Sequence, residues 1–332
     1  MALAKVVMVT LEPQNGCDVV VIGGGVAGLS GAQVLARARR SVVVIDAGAP
    51  RNAPAEGVHG LLALDGIAPG ELLERGRAEV RRYGGHVATG EVTAAARDGE
   101  GLFTVSLADG RSVRTRRLLV TTGLVDELPD VPGLRQRWGK DVLHCPYCHG
   151  WEVRDRAIGV LANGPLSVQQ ALLFRQWSDN VTYFAHTNPV PSAEDAEKLA
   201  ARGIRVVDGE VVALEADGDR LAGVRLGGGT VVDCEVLVAS SRLVARGGLL
   251  AELGLRPVEH PAGIGAYIPC AEGGRTTVPG VWVAGNVTSL VDRAAAAAAA
   301  GVSAAAQINA DLVDKEIREE VAAHRKSPSA PA

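Results

Sequence analysis

The chain has 332 residues, room for two domains with substantial cores, and its 34 Lys and Arg against 38 Asp and Glu leave a net charge of -4. That balance argues against nucleic acid or an anionic membrane surface as a partner. Phe, Trp and Tyr contribute only 3%, so the core has to be built from Val, Leu, Ile and Ala, as buried parallel strands and their covering helices usually are. No run reaches the roughly 18 to 20 strongly apolar residues of a spanning helix. The longest candidate, residues 294–306, is too short and too weakly hydrophobic. The opening "MALAKVVMVTLEPQNG" lacks the apolar core and small-residue cleavage pattern of a signal peptide. The expectation is a cytoplasmic protein, a compartment where thiols stay reduced and a close Cys pair suggests redox or metal work over a structural staple.

The first element in "CDVVVIGGGVAGLSGAQVLARA" is a short apolar strand at 18–22, followed by a tight turn at 23–28 and a helix at 29–38. A second apolar strand at 41–45 ends at Asp46, giving the strand–turn–helix–strand start of a parallel sheet. Alternating apolar and polar residues around Asp98-Gly99 and Asp109-Gly110 predict two or three antiparallel strands that finish in a buried strand at 117–120. The unit then recurs, with a strand at 157–161, a helix at 167–177 and a strand at 181–184, again followed by Gly-rich antiparallel strands. This is an internal duplication. The closing block is a strand, a turn and a long alanine-rich helix, with a disordered tail expected over 324–332.

Gly23-x-Gly25-x-x-Gly28 lies directly between strand and helix, and Asp46 follows 18 residues after the last glycine. Gly23 permits the tight turn, Gly25 lets backbone amides approach a pyrophosphate, and Gly28 brings helix and strand together. The helix N-terminus favours phosphate, and an acid at the end of the next strand suits a ribose. The pattern predicts a dinucleotide, FAD or NAD. Its repeat is altered: Ala162, Asn163, Gly164 and Ser167 stand where an intact fingerprint has glycines and a small residue. After the next strand only His186 occupies the place where a 2′-phosphate wants guanidinium groups. The second fold reads first as a scaffold that binds no nicotinamide nucleotide, with weak or atypical binding as the alternative, since such turns tolerate single substitutions.

"HCPYCHGWE" places Cys145 and Cys148 three residues apart between His144 and His149. Zinc needs two further ligands at suitable spacing, and the flanking histidines are too close in sequence for the usual pattern. A disulfide closing so small a loop constrains the unfolded chain little. A redox dithiol is the favoured reading, with a nearby imidazolium to stabilise a thiolate or shuttle its proton. Cys17, Cys234 and Cys270 read as small core residues, and His144 equally well as a surface residue at a strand end.

An N-terminal G-x-G-x-x-G, a C-x-x-C just before a second nucleotide fold, and the returning "GVWVAGNV" resemble the low-molecular-weight thioredoxin reductases over residues 18–312. The resemblance implies an α/β chain of two Rossmann-like nucleotide-binding domains, the second inserted into the first. The FAD domain would comprise 1–118 and 247–322, and the NAD(P)H-like domain 119–246. It also implies a homodimer. FAD would be held by Gly23, Gly25, Val26, Ala27 and Gly28, then by Asp46, Ala47 and Arg51. Gly123, Gly285, Asn286, Ala294 and Ala295 would complete the cofactor site. Asn286 stands in place of the family's usual Asp.

"CPYCHGWE" is closer still to a branch of that family, the FAD-dependent dithiol oxidases of the gliotoxin and holomycin type, and has His149 where thioredoxin reductases place an aspartate. For this chain the branch implies Cys145 as the interchange thiol, Cys148 facing the flavin, and His149, with His144 second, as the base. The substrate would be a small-molecule dithiol and the acceptor O2. Rival expectations are an NADPH-dependent disulfide reductase, an idle flavoprotein that binds a partner, and reduction by ferredoxin.

Overall fold

The computed structural model describes residues 16–99 and 101–326. Residues 1–15, which contain most of the segment read for a leader, lie outside the described part, as do residues 327–332 at the end of the expected tail.

The apolar run of β1 (Cys17–Ile22) is almost wholly buried and leads through the glycine turn into α1 (Val26–Arg37) and back into β2 (Val42–Asp46). The helix begins at Val26, three residues before the predicted Leu29, because Gly25 itself caps it. Where the sequence suggested no element, α2 (Pro69–Arg82) and β3 (His86–Thr89) extend the unit. Helix α2 is poor in apolar residues, and only Pro69, Leu73 and Val80 are buried. Its ends are nevertheless marked by Pro69 at the start, Glu71 in the first turn and Arg81 and Arg82 in the last.

The meander β4 (Val92–Arg97), β5 (Phe103–Leu107) and β6 (Ser112–Val120) follows. Strand β6 is longer than predicted and has two roles. Its first half pairs antiparallel with β5, and its apolar second half lies parallel to β1.

The chain then leaves through β7 (Leu124–Glu127), α3 (Leu134–Arg137), β8 (Val142–Leu143) and the one-turn helix α4 (Pro146–His149). The repeat unit is β9 (Ile158–Leu161), α5 (Ser167–Phe174), β10 (Val181–Phe184), α6 (Ala193–Ala201) and β11 (Arg205–Val207). Helix α5 stops at Phe174, short of the predicted Trp177. Its antiparallel companions are β12 (Val211–Asp217), β13 (Arg220–Leu226) and β14 (Val231–Asp233), and β15 (Val236–Val238) completes the second parallel sheet in the order β11-β10-β9-β15-β8.

The return runs through β16 (Arg242–Ala245), β17 (Val258–Glu259), β18 (Gly265–Tyr267), β19 (Val281–Val283) and α7 (Ala294–Lys326). Strand β19 rejoins the first sheet beside β6, so that sheet runs β3-β2-β1-β6-β5-β4 with β19 added on β6. Strands β7 and β16 pair antiparallel where the chain goes out and comes back. The architecture is two Rossmann-like units, the second inserted into the first. Helix α7 continues to Lys326, so the first residues of the expected tail, from His324, are helical. Helices α1 and α7 cross closely: a Cβ on Gly301 would stand 2.0 Å from the Ala27 carbonyl oxygen.

Candidate active site

Cys145 caps α4 with extended backbone, and Pro146 takes the first helical position, where its missing N–H has no partner to lose. One helical turn puts residues i and i+3 on the same side. Cys145 and Cys148 are joined there as a disulfide, their Cα atoms 5.3 Å apart. The N–H groups of Cys148 and His149 donate to the Cys145 carbonyl at 3.3 Å, and that of Gly150 to Pro146 at 2.7 Å. Both cysteines line a cleft of about 1360 Å³ that also receives the first glycine turn, the Arg51 loop and the start of α7. On the outer side Tyr147 is exposed, with the Arg293 guanidinium 5.1 Å from its ring centre.

His144 stacks on Trp138, ring centres 5.5 Å apart and planes within 15°. Burial, then the nearby Arg51 charge, push its imidazole down to about 4, against the opposing pull of Asp126. It is neutral at physiological pH and a weak base, not the surface residue that its position suggested. Burial also lowers His149, with Glu152 opposing and His59 reinforcing the shift. Both rings are thus held toward the neutral form. The expected imidazolium is therefore disfavoured, and the acceptor form of His149 is favoured. Gln170 donates to the His144 carbonyl at 3.3 Å and accepts from Ser240 at 3.0 Å, tying the redox turn to β15's exit.

The first glycine turn fits a dinucleotide by its own geometry. Gly23 has φ of +105°, and a Cβ on Gly28 would stand 2.0 Å from the Gly23 carbonyl oxygen. A Cβ on Gly25 would meet nothing within 4 Å, so the space in front of it is open to a ligand. No side chain caps α1, which leaves the amides of its first turn, at Val26 and Ala27, for phosphate oxygens. Asp46 accepts from the Gly24 amide at 3.1 Å and faces Arg77 at 3.1 Å; Ala47 follows it on the cleft wall. Thr121, which the sequence reading passed over, donates to the Gly23 carbonyl at 2.8 Å and fixes the turn from below.

Three other expected cofactor contacts have additional duties. Arg51 forks onto Asp126 at 2.6 and 2.7 Å, and Ser241 donates to the same carboxylate at 2.6 Å, so Arg51 braces β7 and β16 as well as lining the cleft. Gly123, with φ of +68°, accepts from the Arg246 amide at 3.0 Å where the two chain crossings meet. The Asn286 amide donates to the carbonyls of Ser289, Leu290 and Asp292 at 2.8, 3.4 and 3.0 Å and gathers the loop that precedes α7. Gly285 and Ala294 line the cleft, whereas Ala295 is exposed and does not; Ala297 takes its place.

The second glycine turn is closed on itself. Asn163 both donates to the Ser240 carbonyl at 2.6 Å and accepts its amide at 2.9 Å, pinning β9 to the end of β15. The Gly164 amide is taken by the Ser167 hydroxyl at 3.1 Å. His186 accepts the Val211 amide on Nδ1 at 3.0 Å, and burial lowers its imidazole, with Glu210 opposing the shift, so its charged form is disfavoured.

Cys17 and Cys234 are buried, and burial raises their thiols to about 11 and about 12, which makes them inert. Cys270 departs from the expectation: it is exposed and contacts the Thr288 hydroxyl at 3.1 Å. No cluster of three or more metal-ligating side chains occurs among the described residues, and none of their helices is long and apolar enough to cross a membrane.

A disulfide facing the cleft of a dinucleotide turn defines a flavin-dependent thiol–disulfide oxidoreductase, with FAD as its cofactor. Residues 17–301 match the pyridine nucleotide-disulphide oxidoreductase family, to which the chain belongs. The chain is 33% identical to thioredoxin reductase tcpT of Claviceps purpurea, over 91% of its own length and 97% of the relative's. Thioredoxin reductase sirT of Leptosphaeria maculans is 29% identical over 88% and 93%. Among solved structures HlmI superposes with a TM-score of 0.89 at 46% identity, covering 95% of this chain and 98% of that one. An oxidoreductase from Agrobacterium tumefaciens follows at 0.84 and 35%, covering 90% and 99%.

Proposed function

We propose that the chain is an FAD-dependent dithiol oxidase that closes a disulfide in a small-molecule dithiol and passes the electrons to O2. The reaction balances as R(SH)2 + O2 giving the cyclic disulfide and H2O2. His149 takes the proton of one substrate thiol, and the thiolate attacks Cys145 Sγ and releases Cys148 as thiolate. The second substrate thiol, deprotonated in turn, attacks the substrate sulfur of the mixed disulfide and releases Cys145. A bound FAD would supply the two-electron acceptor for the reduced cysteines and the route of those electrons to oxygen. Cys148 is the thiol assigned to face it.

One observation carries this reading. The redox pair opens onto the same cleft as the unencumbered first turn, while the polar groups of the second turn are engaged within the chain. Electrons therefore have a thiol entrance and no prepared nicotinamide entrance. The similarity to HlmI over nearly the whole chain supports the same class.

Anaerobic mixing with NADPH tests the point directly: the flavin spectrum stays oxidised, whereas dithiothreitol bleaches it. In air, dithiol consumption matches peroxide formed. Rapid bleaching by NADPH would instead establish a disulfide reductase.

A further inference from the structure

The backbone ladder that leads the chain to the redox pair stops just short of it. Strand β8 pairs with β15, and one residue further on the Ala239 amide donates to the Leu143 carbonyl at 2.9 Å. Past that rung the link is made by side chains. Gln170, on the first turn of α5, donates from Nε2 to the His144 carbonyl at 3.3 Å, and its Oε1 accepts from the Ser240 hydroxyl at 3.0 Å. The Ser240 backbone is held in turn by Asn163, which donates to its carbonyl at 2.6 Å and accepts its amide at 2.9 Å.

Each carboxamide is oriented by the backbone group it meets. A carbonyl only accepts, so the His144 oxygen requires the NH2 end of Gln170 and leaves the amide oxygen for the Ser240 hydroxyl. The Ser240 carbonyl and amide orient Asn163 in the same way. The His144 carbonyl and the Cys145 nitrogen belong to one planar peptide, so a grip on the first sets the orientation of the second. Asn163, Gln170 and Ser240 line the same cleft as the two cysteines. Glycine at position 163 would have no side chain to reach Ser240.

We propose that Asn163, Ser240 and Gln170 are positioning residues for the Cys145–Cys148 pair, which makes the altered second turn the mount of the redox centre. In the oxidised chain the S–S bond itself restrains residues 145–148. In the reduced chain the row from Asn163 through Ser240 and Gln170 to His144 keeps the two thiols in place for closing again. Cutting the row frees the dithiol more than the disulfide, and so favours the dithiol. The assignment rests on the thiol–disulfide chemistry of the pair alone. It holds whether the electrons leave to O2 or to another acceptor.

The test is anaerobic equilibration of the FAD-loaded full chain with mixtures of reduced and oxidised dithiothreitol, two electrons and two protons passing between reagent and pair. Acid quenching and alkylation then measure the reduced fraction of Cys145 and Cys148, and rapid mixing with dithiothreitol follows flavin bleaching. Gln170→Met keeps the size and helix propensity of the side chain and loses both hydrogen bonds. Each such bond is worth a factor of a few, so the equilibrium should shift toward the dithiol by about tenfold, or about 30 mV. Bleaching should slow by a similar factor. Ser240→Ala should shift the equilibrium in the same direction by about threefold. Val224→Ala, which trims the buried core at β13 away from the row, is the structural control: Tm falls and the equilibrium stays within about twofold of wild type. An unmoved equilibrium in Gln170→Met overturns the proposal, and so does a shift of equal size in Val224→Ala. If Gln170→Met fails to fold, Ser240→Ala decides in the same terms. A wild-type pair that dithiothreitol never reduces would overturn the redox role of the cysteines and the proposal with it.

Discussion

The two glycine turns of this chain share a topology and differ in where their hydrogen bonds go. At the first, a Cβ on Gly25 would meet only empty space, the amides of α1 have no side-chain cap, and Asp46 stands at the rim. At the second, Asn163, Ser167 and Ser240 complete one another's bonds, and His186 is used up on the Val211 amide. A nucleotide site depends on polar groups that stay unsatisfied until the ligand arrives. Polar groups already bonded within the chain are less available to such a ligand.

The largest expected effect is at the thiols themselves. Cys148→Ser or Cys145→Ser lowers dithiol oxidation by about 10³-fold or more while FAD stays bound, measured by peroxide release and the flavin spectrum. Next comes the open turn. Gly28→Ala forces a methyl toward the Gly23 carbonyl, and overpacking of this kind costs about 1–3 kcal/mol. The variant should purify with little flavin and a lower Tm, and normal flavin content would mean that the turn has slack. Asn286→Asp should be harmful although it restores the family's usual residue. It turns an amide that serves three carbonyls into a carboxylate facing them, a loss of about 1–3 kcal/mol by thermal unfolding of the holoenzyme.

At the closed turn, Asn163→Ala removes two hydrogen bonds, about 1–2 kcal/mol, and should confer no bleaching by NADPH. If NADPH then reduced the flavin, the closure would be a thin cover over a working site. The last prediction concerns pH. His144 is held at about 4 in the folded chain against an ordinary value of 6.5, so the unfolded chain binds more protons in that window. Stability therefore falls as pH drops from 6.5 toward 4, and His144→Asn should flatten this slope in urea titrations.

Both nucleotide units, the redox pair and the altered repeat were legible in the sequence, because glycine spacing, apolar strands and C-x-x-C are local signals. Helix α2 was not, since few of its residues are apolar and only Pro69, Leu73 and Val80 are buried. The site's supporting groups were equally hidden. Thr121 grips Gly23 from 98 residues away, and Arg51 finds Asp126 from 75 away. His59 meets Glu152 only once the inserted unit has folded back over the loop after β2. Such partners are set by tertiary approach, and no spacing rule announces them. Asn286 shows the opposite limit. Its departure from the family pattern was plain, but its structural use, tying up three backbone carbonyls, depends on the path of residues 289–292.

Arg293 lies immediately before α7, and Tyr147 stands between the two redox cysteines, so the contact between them latches the moving part of the chemistry to the frame that surrounds the cofactor. Any swing of the disulfide away from the cleft has to break this exposed contact, a penalty of about 0.5–1 kcal/mol.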